Sequence, residues 1–518
     1  MNILKSFSLI SGLTFLSRVF GYIRDFIFAF VFGSSSGADS FLLAFRLPNL
    51  FRRLFAEGAI SNAIIPIYLD IKKKSNKKFA ELFSNSVFSY LILLLLFFSI
   101  LAEVFMLEIV TFLAPGFSTE LLKKTTFLAS IMFPYLILIS ASSFIGALLN
   151  ANGRFALWAF SPIILNLGMI TALAVSYIYS TLPELTLAWF VIISGIFQLL
   201  IMIIWSAKKN IKIRLIIPSY SLEVKKLFSL LLPNILAGGI LQVNQFIGLM
   251  FASSIVGAIS WLYYADRIVQ LPLGVFVISI STVLLTVLSK EQLKKNKKSI
   301  NKSIESACLL MLCLTLISMV GLLVLSDLIV DILFKRGKFG LGDVFATSDA
   351  IVMYSIGLPA FGFVKIFSVI FFSKKNTLIP FVISTFSMLI NLLLIFLFIT
   401  KLGHLGIALA LSLSSYFNAI ILYLFLLIRK DWVISKKLFF KIFKIFLAAF
   451  LTYIVLITSY MLILWNDYIN LEGAMSKIFT LLTLMAIAVF SFIIILTSLN
   501  VINFKMLRDK NLKELFKE

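Results

Sequence analysis

Cysteine and histidine are nearly missing from this chain of 518 residues, which has two of the first and one of the second. Cys308 and Cys313 lie five apart in one apolar segment, a spacing that puts them on different helix faces. They therefore support neither a disulfide framework nor a thiolate metal site, and read as two small buried hydrophobes. His404 sits in a short connection with no carboxylate near it in the sequence, which argues against a membrane transferase built on an acid, a base and an acidic metal motif. No GxxxxGK[ST] phosphate loop occurs, so ATP hydrolysis by that route is excluded. Charge is scarce at 13% of residues, and acid is the scarcer sign, with 23 Asp and Glu against 46 Lys and Arg. A net charge of +23 would suit nucleic acid if it formed a surface. The basic residues instead fall in short connections between apolar runs, where they act as topology signals, and no nucleic-acid partner is expected.

What fills the space is apolar: 61% of residues are hydrophobic and the mean hydropathy is +1.07. Apolar runs recur at the roughly 20 residues that a spanning helix needs, so the chain reads as an all-α polytopic membrane protein. Helices are expected at about 4–31, 40–69, 88–113, 126–149, 155–177, 187–205, 227–251, 261–288, 307–334, 351–372, 378–399, 405–428, 438–464 and 478–499, about fourteen in all. The first run has Ser and Thr throughout, no small-residue cleavage site and two arginines, so it reads as a retained helix rather than a signal peptide.

The connections alternate in charge. Lys72 to Lys78, Arg154, Lys208 to Lys226, Lys290 to Lys302, Lys374 with Lys375, Arg429 to Lys437 and the tail from Lys505 are basic. The loops at 33–38, 179–185, 253–260 and 403–405 carry almost no charge. The positive-inside rule then puts both termini in the cytoplasm. Lys335, Arg336 and Lys338 break the pattern on the outer side, where Asp343 and Asp349 follow closely.

A repeat runs through the chain at an offset of about 220 residues. GADSF from Gly37 matches GAISW from Gly257, AISNAI from Ala59 matches SISTVL from Ser279, and Lys77–Lys78 match Lys297–Lys298. The turn at Pro115, Gly116 and Phe117 matches Arg336 to Phe339, and Arg154, Pro162 and Asn166 have rough counterparts in Lys375, Pro380 and Asn391. An offset of six helices preserves membrane orientation, so two six-helix lobes related by a parallel pseudo-two-fold are expected, with a cavity between them. The domain division that follows is 1–210, 211–430, and a terminal helix pair at 431–518.

Charge at membrane depth concentrates from Arg18 to Glu57: Arg18, Arg24, Asp25, Asp39, Arg46, Arg52, Arg53 and Glu57. An ionised side chain there costs several kcal/mol unless it meets a partner or a wet cavity. The counterpart helices of the second repeat hold Asn234, Gln242, Asn244 and Gln245, then only Asp266 and Arg267. Arg18 and Asp25 are seven apart, as are Arg46 and Arg53, so each pair lies near one helix face. Arg53 and Glu57, four apart, can pair within their helix. Arg18, Arg24 and Arg52 have two readings, snorkelling or buried structural pairing against contact with an anionic ligand. Adjacent residues do not face each other along a helix, so Asp25 is expected to leave the Arg24 guanidinium able to turn inward. Arginine suits phosphate and diphosphate because its planar fork donates in pairs and stays charged in a dry site.

The runs SRVFGYIRD, GADSFLLAFRLPNLFRRLFAEGAISNAIIP, APGF and SWLYYADRIVQLPLGVF resemble the bacterial lipid II flippases, the MurJ/MviN family of the MOP exporter superfamily. The resemblance implies fourteen helices in two lobes, a central cationic cavity, and a final helix pair (TM13–TM14) whose groove holds a lipid tail. It implies a transporter rather than an enzyme, flipping the undecaprenyl-diphosphate-linked disaccharide pentapeptide, lipid II, from the cytoplasmic to the periplasmic leaflet of the inner membrane for cell-wall synthesis. Carried over by motif, Arg18, Arg24, Asp25, Arg52 and Arg267 would bind substrate. Asp39 and Ser260 would form a periplasmic gate, and Glu57 and Asp266 would orient arginines, with Arg46 and Arg53 in support. Arg46 stands where the family usually has Lys, which keeps the charge and changes its geometry. No cofactor or metal is implied. The membrane potential would drive export, the coupling ion is left open, and cell-wall synthesis proteins are expected associates. Two rivals stay open: a flippase for another polyprenyl-diphosphate oligosaccharide, which shares the diphosphate, and a cation-coupled small-molecule exporter, for which carboxylates and aromatics would be expected in place of arginines.

Overall fold

The computed structural model describes residues 3–51, 59–74, 77–154, 156–211, 213–219, 221–293, 296–465 and 473–501. Among them the chain is all-helical, without strands. The helices are α1 (Ile3–Phe32), α2 (Ser36–Phe51), α3 (Ala59–Lys74), α4 (Lys77–Val104), α5 (Met106–Leu113), α6 (Thr119–Met132), α7 (Tyr135–Ala151), α8 (Ala156–Ile178), α9 (Pro183–Lys208), α10 (Leu222–Ala252), α11 (Ala258–Pro272), α12 (Ile278–Leu293), α13 (Lys297–Phe334), α14 (Leu341–Ile356), α15 (Leu358–Ser373), α16 (Leu378–Leu402), α17 (His404–Ile428), α18 (Lys436–Trp465) and α19 (Ala474–Ser498).

They pack as two units, 1–260 with 336–339, and 261–335 with 340–518. In the first, α7 is the buried centre, with both faces covered from Tyr135 to Leu149. A chain of buried hydrogen bonds starts from it: Tyr135 Oη donates to Gln198 Oε1 at 3.2 Å, and Gln198 Nε2 donates to the Ser161 carbonyl at 2.8 Å, which ties α7, α9 and α8 together. Leaving any of these buried groups unpaired would cost about 1–3 kcal/mol. Phe28 stacks on Phe32 and lies tilted against Phe41 where α1 meets α2. After α9 the chain is extended, and it lies along α4 because α4 offers acceptors in step with its N–H groups. Arg214 N donates to Asn85 Oδ1 (3.0 Å), Ile216 N to Ser89 Oγ (2.9 Å) and Ser219 N to Ser86 Oγ (2.8 Å).

The second unit is built on the 38 residues of α13, whose buried face includes Cys308, Leu312, Leu316 and Val320. Both cysteines are free and buried, as their spacing predicted. The terminal pair α18 and α19 docks on α13, where Asp331 pairs with Lys335 at 3.0 Å and with Lys477 of α19. Lys335 of the basic run 335–338 is thereby partly neutralised. Phe439, Phe440, Phe443, Phe446 and Phe450 of α18 are exposed, as suits a helix in contact with acyl chains.

Among the described residues, ten helices are long and apolar enough to cross a membrane, with an eleventh span if α14 and α15, bent by 41°, are taken together. The other three expected spans fall on α1, on the α2–α3 run and on α10, and these are the helices in which the sequence concentrates its polar groups. The expected helix at 261–288 passes through a π-helical segment, Leu273–Val277, between α11 and α12, and two other expected single helices are broken. That at 88–113 breaks at Phe105. That at 126–149 breaks at Phe133–Pro134, where proline has no N–H to continue the ladder. The expected helix at 351–372 starts at Leu341 and bends at Gly357.

Candidate functional site

Arg24 lies on α1 and is 7% exposed; Asp25 beside it is 3% exposed. The expectation that adjacency would leave the guanidinium able to turn inward is corrected by the geometry. Nε and Nη2 of Arg24 both donate to Asp25 Oδ1, at 3.0 and 2.6 Å. A long flexible side chain can fold back over its own backbone, which Cβ directions alone do not capture. The remaining arm, Nη1, donates to Asn166 Oδ1 of α8 at 3.0 Å and lies 3.8 Å from Met169 Sδ. Asn166 Nδ2 in turn donates to the Ser17 carbonyl at 3.0 Å. A charged arginine is thus stable here because both an ion and neutral dipoles surround it.

The other predicted site residues are placed as follows. Arg18, nearly two turns earlier on α1, is exposed. Arg46 of α2 is half-buried, with Nη2 3.4 Å from Gln245 Oε1 of α10. Arg52, Arg53 and Glu57 lie outside the described residues. In the second unit Arg267 is exposed; its guanidinium lies over the Tyr263 ring at 4.9 Å, and Nη2 donates to Tyr263 Oη at 3.1 Å. Asp266, expected to orient Arg267, accepts from Gln270 Nε2 at 3.2 Å. The aromatic one turn before Arg267 was missed from the sequence, although YYADR displays it at the i−4 spacing that brings helical side chains together.

Asp39 and Ser260 meet. Asp39, 2% exposed, accepts from Gly257 N at Oδ2 (2.8 Å), and from Ser260 N (2.9 Å) and Ser260 Oγ (2.6 Å) at Oδ1. Its carboxylate therefore caps the first turn of α11, where unpaired N–H groups and the helix dipole favour an anion. The turn 336–339, far away in sequence, packs on the end of α1: Lys338 N donates to the Phe30 carbonyl at 3.0 Å, and the Arg336 guanidinium lies 5.0 Å from the Phe26 ring centre. Gly33 and Gly337 make this approach possible. Both have positive φ, +60° and +59°, and a Cβ on Gly33 would stand 2.5 Å from the Lys338 carbonyl oxygen. The matching turn of the first repeat does likewise, Gly116 N donating to Ser253 Oγ at 3.0 Å beyond the end of α10. Gly33→Ala should therefore cost about 1–2 kcal/mol from the left-handed backbone alone, with the steric clash in addition. The check is thermal unfolding in detergent beside Gly12→Ala, a position with open space around it, which should be neutral or slightly stabilising.

His404 is not as isolated as its sequence neighbourhood suggested. Its ring lies 4.9 Å from that of Trp261, Nε2 is 2.9 Å from the Ala346 carbonyl oxygen, and Asp349 is within electrostatic reach. The expected absence of carboxylates around it is corrected: the fold brings one from a different helix. Among the described residues no group of three or more His, Cys, Asp or Glu is arranged to hold a metal ion.

A family profile described as "Lipid II flippase MurJ" matches residues 28–484. A protein of Rickettsia prowazekii named "Probable lipid II flippase MurJ" is 39% identical over 427 residues, covering 82% of this chain and 83% of its own. One of the same name from Buchnera aphidicola subsp. Baizongia pistaciae is 37% identical over 470 residues, covering 90% and 91%. Among solved structures, "Lipid II flippase MurJ, inward closed conformation" superposes with a TM-score of 0.77 at 29% identity, over 94% of this chain and 97% of its own. An inward-facing multidrug resistance MATE family transporter of the MOP superfamily gives 0.68 at 14% identity, over 81% and 97%, a likeness of fold alone. With its apolar helices recurring from end to end, this is a multi-pass membrane protein, and it belongs to the MurJ family of lipid II flippases.

Proposed function

We propose that this chain carries lipid II, with its undecaprenyl-diphosphate, disaccharide and pentapeptide, from the cytoplasmic to the outer leaflet of the inner membrane, and that it is a transporter without enzymatic activity or cofactor. Family membership supports the substrate. The observation that carries the chemistry is Arg24, a buried guanidinium fixed by Asp25 and Asn166. Arg18, Arg24, Arg52 and Arg267 are the residues assigned to the diphosphate, with Arg46, Arg53, Glu57 and Asp266 in support. Asp39 with Ser260 is assigned to closure of the outer side, and the exposed face of α18 to the polyprenyl tail. Both termini are cytoplasmic, as the lysine pattern requires. With the inside negative, the potential favours outward movement of anionic charge by about 2.3 kcal/mol per charge per 100 mV. Alternating access, rather than a continuous pore, keeps the two leaflets separate.

The test is translocation of fluorescent lipid II in liposomes holding the purified chain, with unlabelled competitors that share its tail. Competition by the diphosphate-linked lipid at concentrations about tenfold below those needed for the monophosphate analogue is expected, the fork geometry of arginine being the discriminator. Equal competition by both would overturn the diphosphate reading. Transport of a different diphosphate-linked oligosaccharide in preference to lipid II would favour the rival flippase.

A further inference from the structure

We infer that Asn166 is a positioning residue for substrate, the fixed point that keeps the Arg24 fork aimed while its ionic partner changes. The inference rests on the assignment of Arg24 to the diphosphate. Ser17, Gly21 and Arg24 lie on one face of α1, at i, i+4 and i+7, and Asn166 of α8 touches all three. Its Nδ2 donates to Ser17 O at 3.0 Å, its Oδ1 accepts from Arg24 Nη1 at 3.0 Å, and a Cβ on Gly21 would stand 3.6 Å from Nδ2. The amide has one orientation in which both ends pair, so the carbonyl faces the guanidinium. Asp25 holds the Nε and Nη2 side of the fork, the side that offers two donors in parallel to a phosphate oxygen pair. For a diphosphate to bind there, it must replace Asp25. A guanidinium with a single partner swings when that partner leaves; one still held by Nη1 on a second helix does not. An amide does this without cancelling the positive charge, whereas a second carboxylate would compete with the substrate.

The second repeat has a buried asparagine at the matching place without an arginine beside it in the alignment. Its rough counterpart of Asn166 is Asn391, which is also buried, while the position matching Arg24 at the repeat offset is Asn244. A buried asparagine is thus common to both repeats, and the arginine that pairs with it belongs to the first alone.

The experiment measures the affinity of the purified full chain for lipid II and for its monophosphate analogue, for wild type, Asn166→Leu, Arg24→Lys and the double variant, with thermal unfolding of each. Lysine keeps the charge beside Asp25 and has no second arm to share with Asn166. Asn166→Leu should weaken diphosphate binding about tenfold, leave the monophosphate analogue within about twofold, and add less than about twofold in the Arg24→Lys background. Asn166→Ser, smaller and polar, serves if leucine disturbs the α1–α8 contact; its hydroxyl is too short to hold Arg24. Equal loss for both lipids, or the same tenfold loss in both backgrounds, overturns the inference and leaves Asn166 as a helix brace. Wild-type binding by Arg24→Lys would instead overturn the diphosphate assignment itself, a distinguishable result.

Discussion

Arg24→Ala is expected to give a chain that is both destabilised and unable to move lipid II, whereas Arg24→Lys gives one that folds and transports poorly. Alanine removes the fork and strands the Asp25 carboxylate, 3% exposed, without its ion; losing one partner of a buried pair costs about 3–5 kcal/mol. Loss of transport in that variant alone therefore says little about the substrate. Lysine retains a cation beside Asp25, so most of the stability should survive. What it loses is the planar pair of donors, and a charged hydrogen bond is worth about 1.5–3 kcal/mol, which corresponds to a fall in transport of roughly tenfold to a hundredfold. Thermal unfolding and liposome translocation, run on both variants, make the comparison. A lysine variant that transports at the wild-type rate would show that charge alone is needed at this position.

Asp39→Ala should have the next largest effect, and on a different quantity. Three donors converge on this one carboxylate: Gly257 N, Ser260 N and Ser260 Oγ. Alanine leaves them all without their acceptor, at about 1–3 kcal/mol for each that water cannot reach, and removes the anion from the start of α11. Asp39→Asn keeps one oxygen but turns an NH2 toward another donor, so it should recover only part of the loss. If Asp39 holds the outer side closed, a cysteine placed at buried Ser253 should react with a membrane-impermeant thiol reagent several-fold faster in the Asp39→Ala background. The two native cysteines are buried, so the reporter needs no further changes. Unchanged labelling in a destabilised variant would assign Asp39 to helix capping alone.

The sequence foretold much of this because the strongest signals in it are physical requirements. Apolar length and lysine-rich connections follow from the bilayer itself, and the helices came out close to where those signals put them. Breaks at Phe105 and Pro134 were lost inside apolar runs, where hydropathy carries no information about bending. At the site, residue types were legible and partners were not. The pairing of Asp39 with Ser260 was anticipated only as two members of one gate, through the family resemblance and not from spacing. Arg24 and Asp25 were expected to diverge because helical periodicity concerns Cβ directions, while an arginine spans several further bonds. Asn166 is legible in the sequence as a repeat element, and nothing local to it announces that α8 delivers it to Arg24, 142 residues away.

The Asp39 contact also makes two similar motifs unlike in role. At the offset that aligns GADSF with GAISW, Asp39 stands opposite Ile259 and Ser40 opposite Ser260. The acid lies on one motif and the N–H groups that it accepts from lie on the other, so the fastening runs one way, and a loss at position 39 has no equivalent acid at position 259 to answer it.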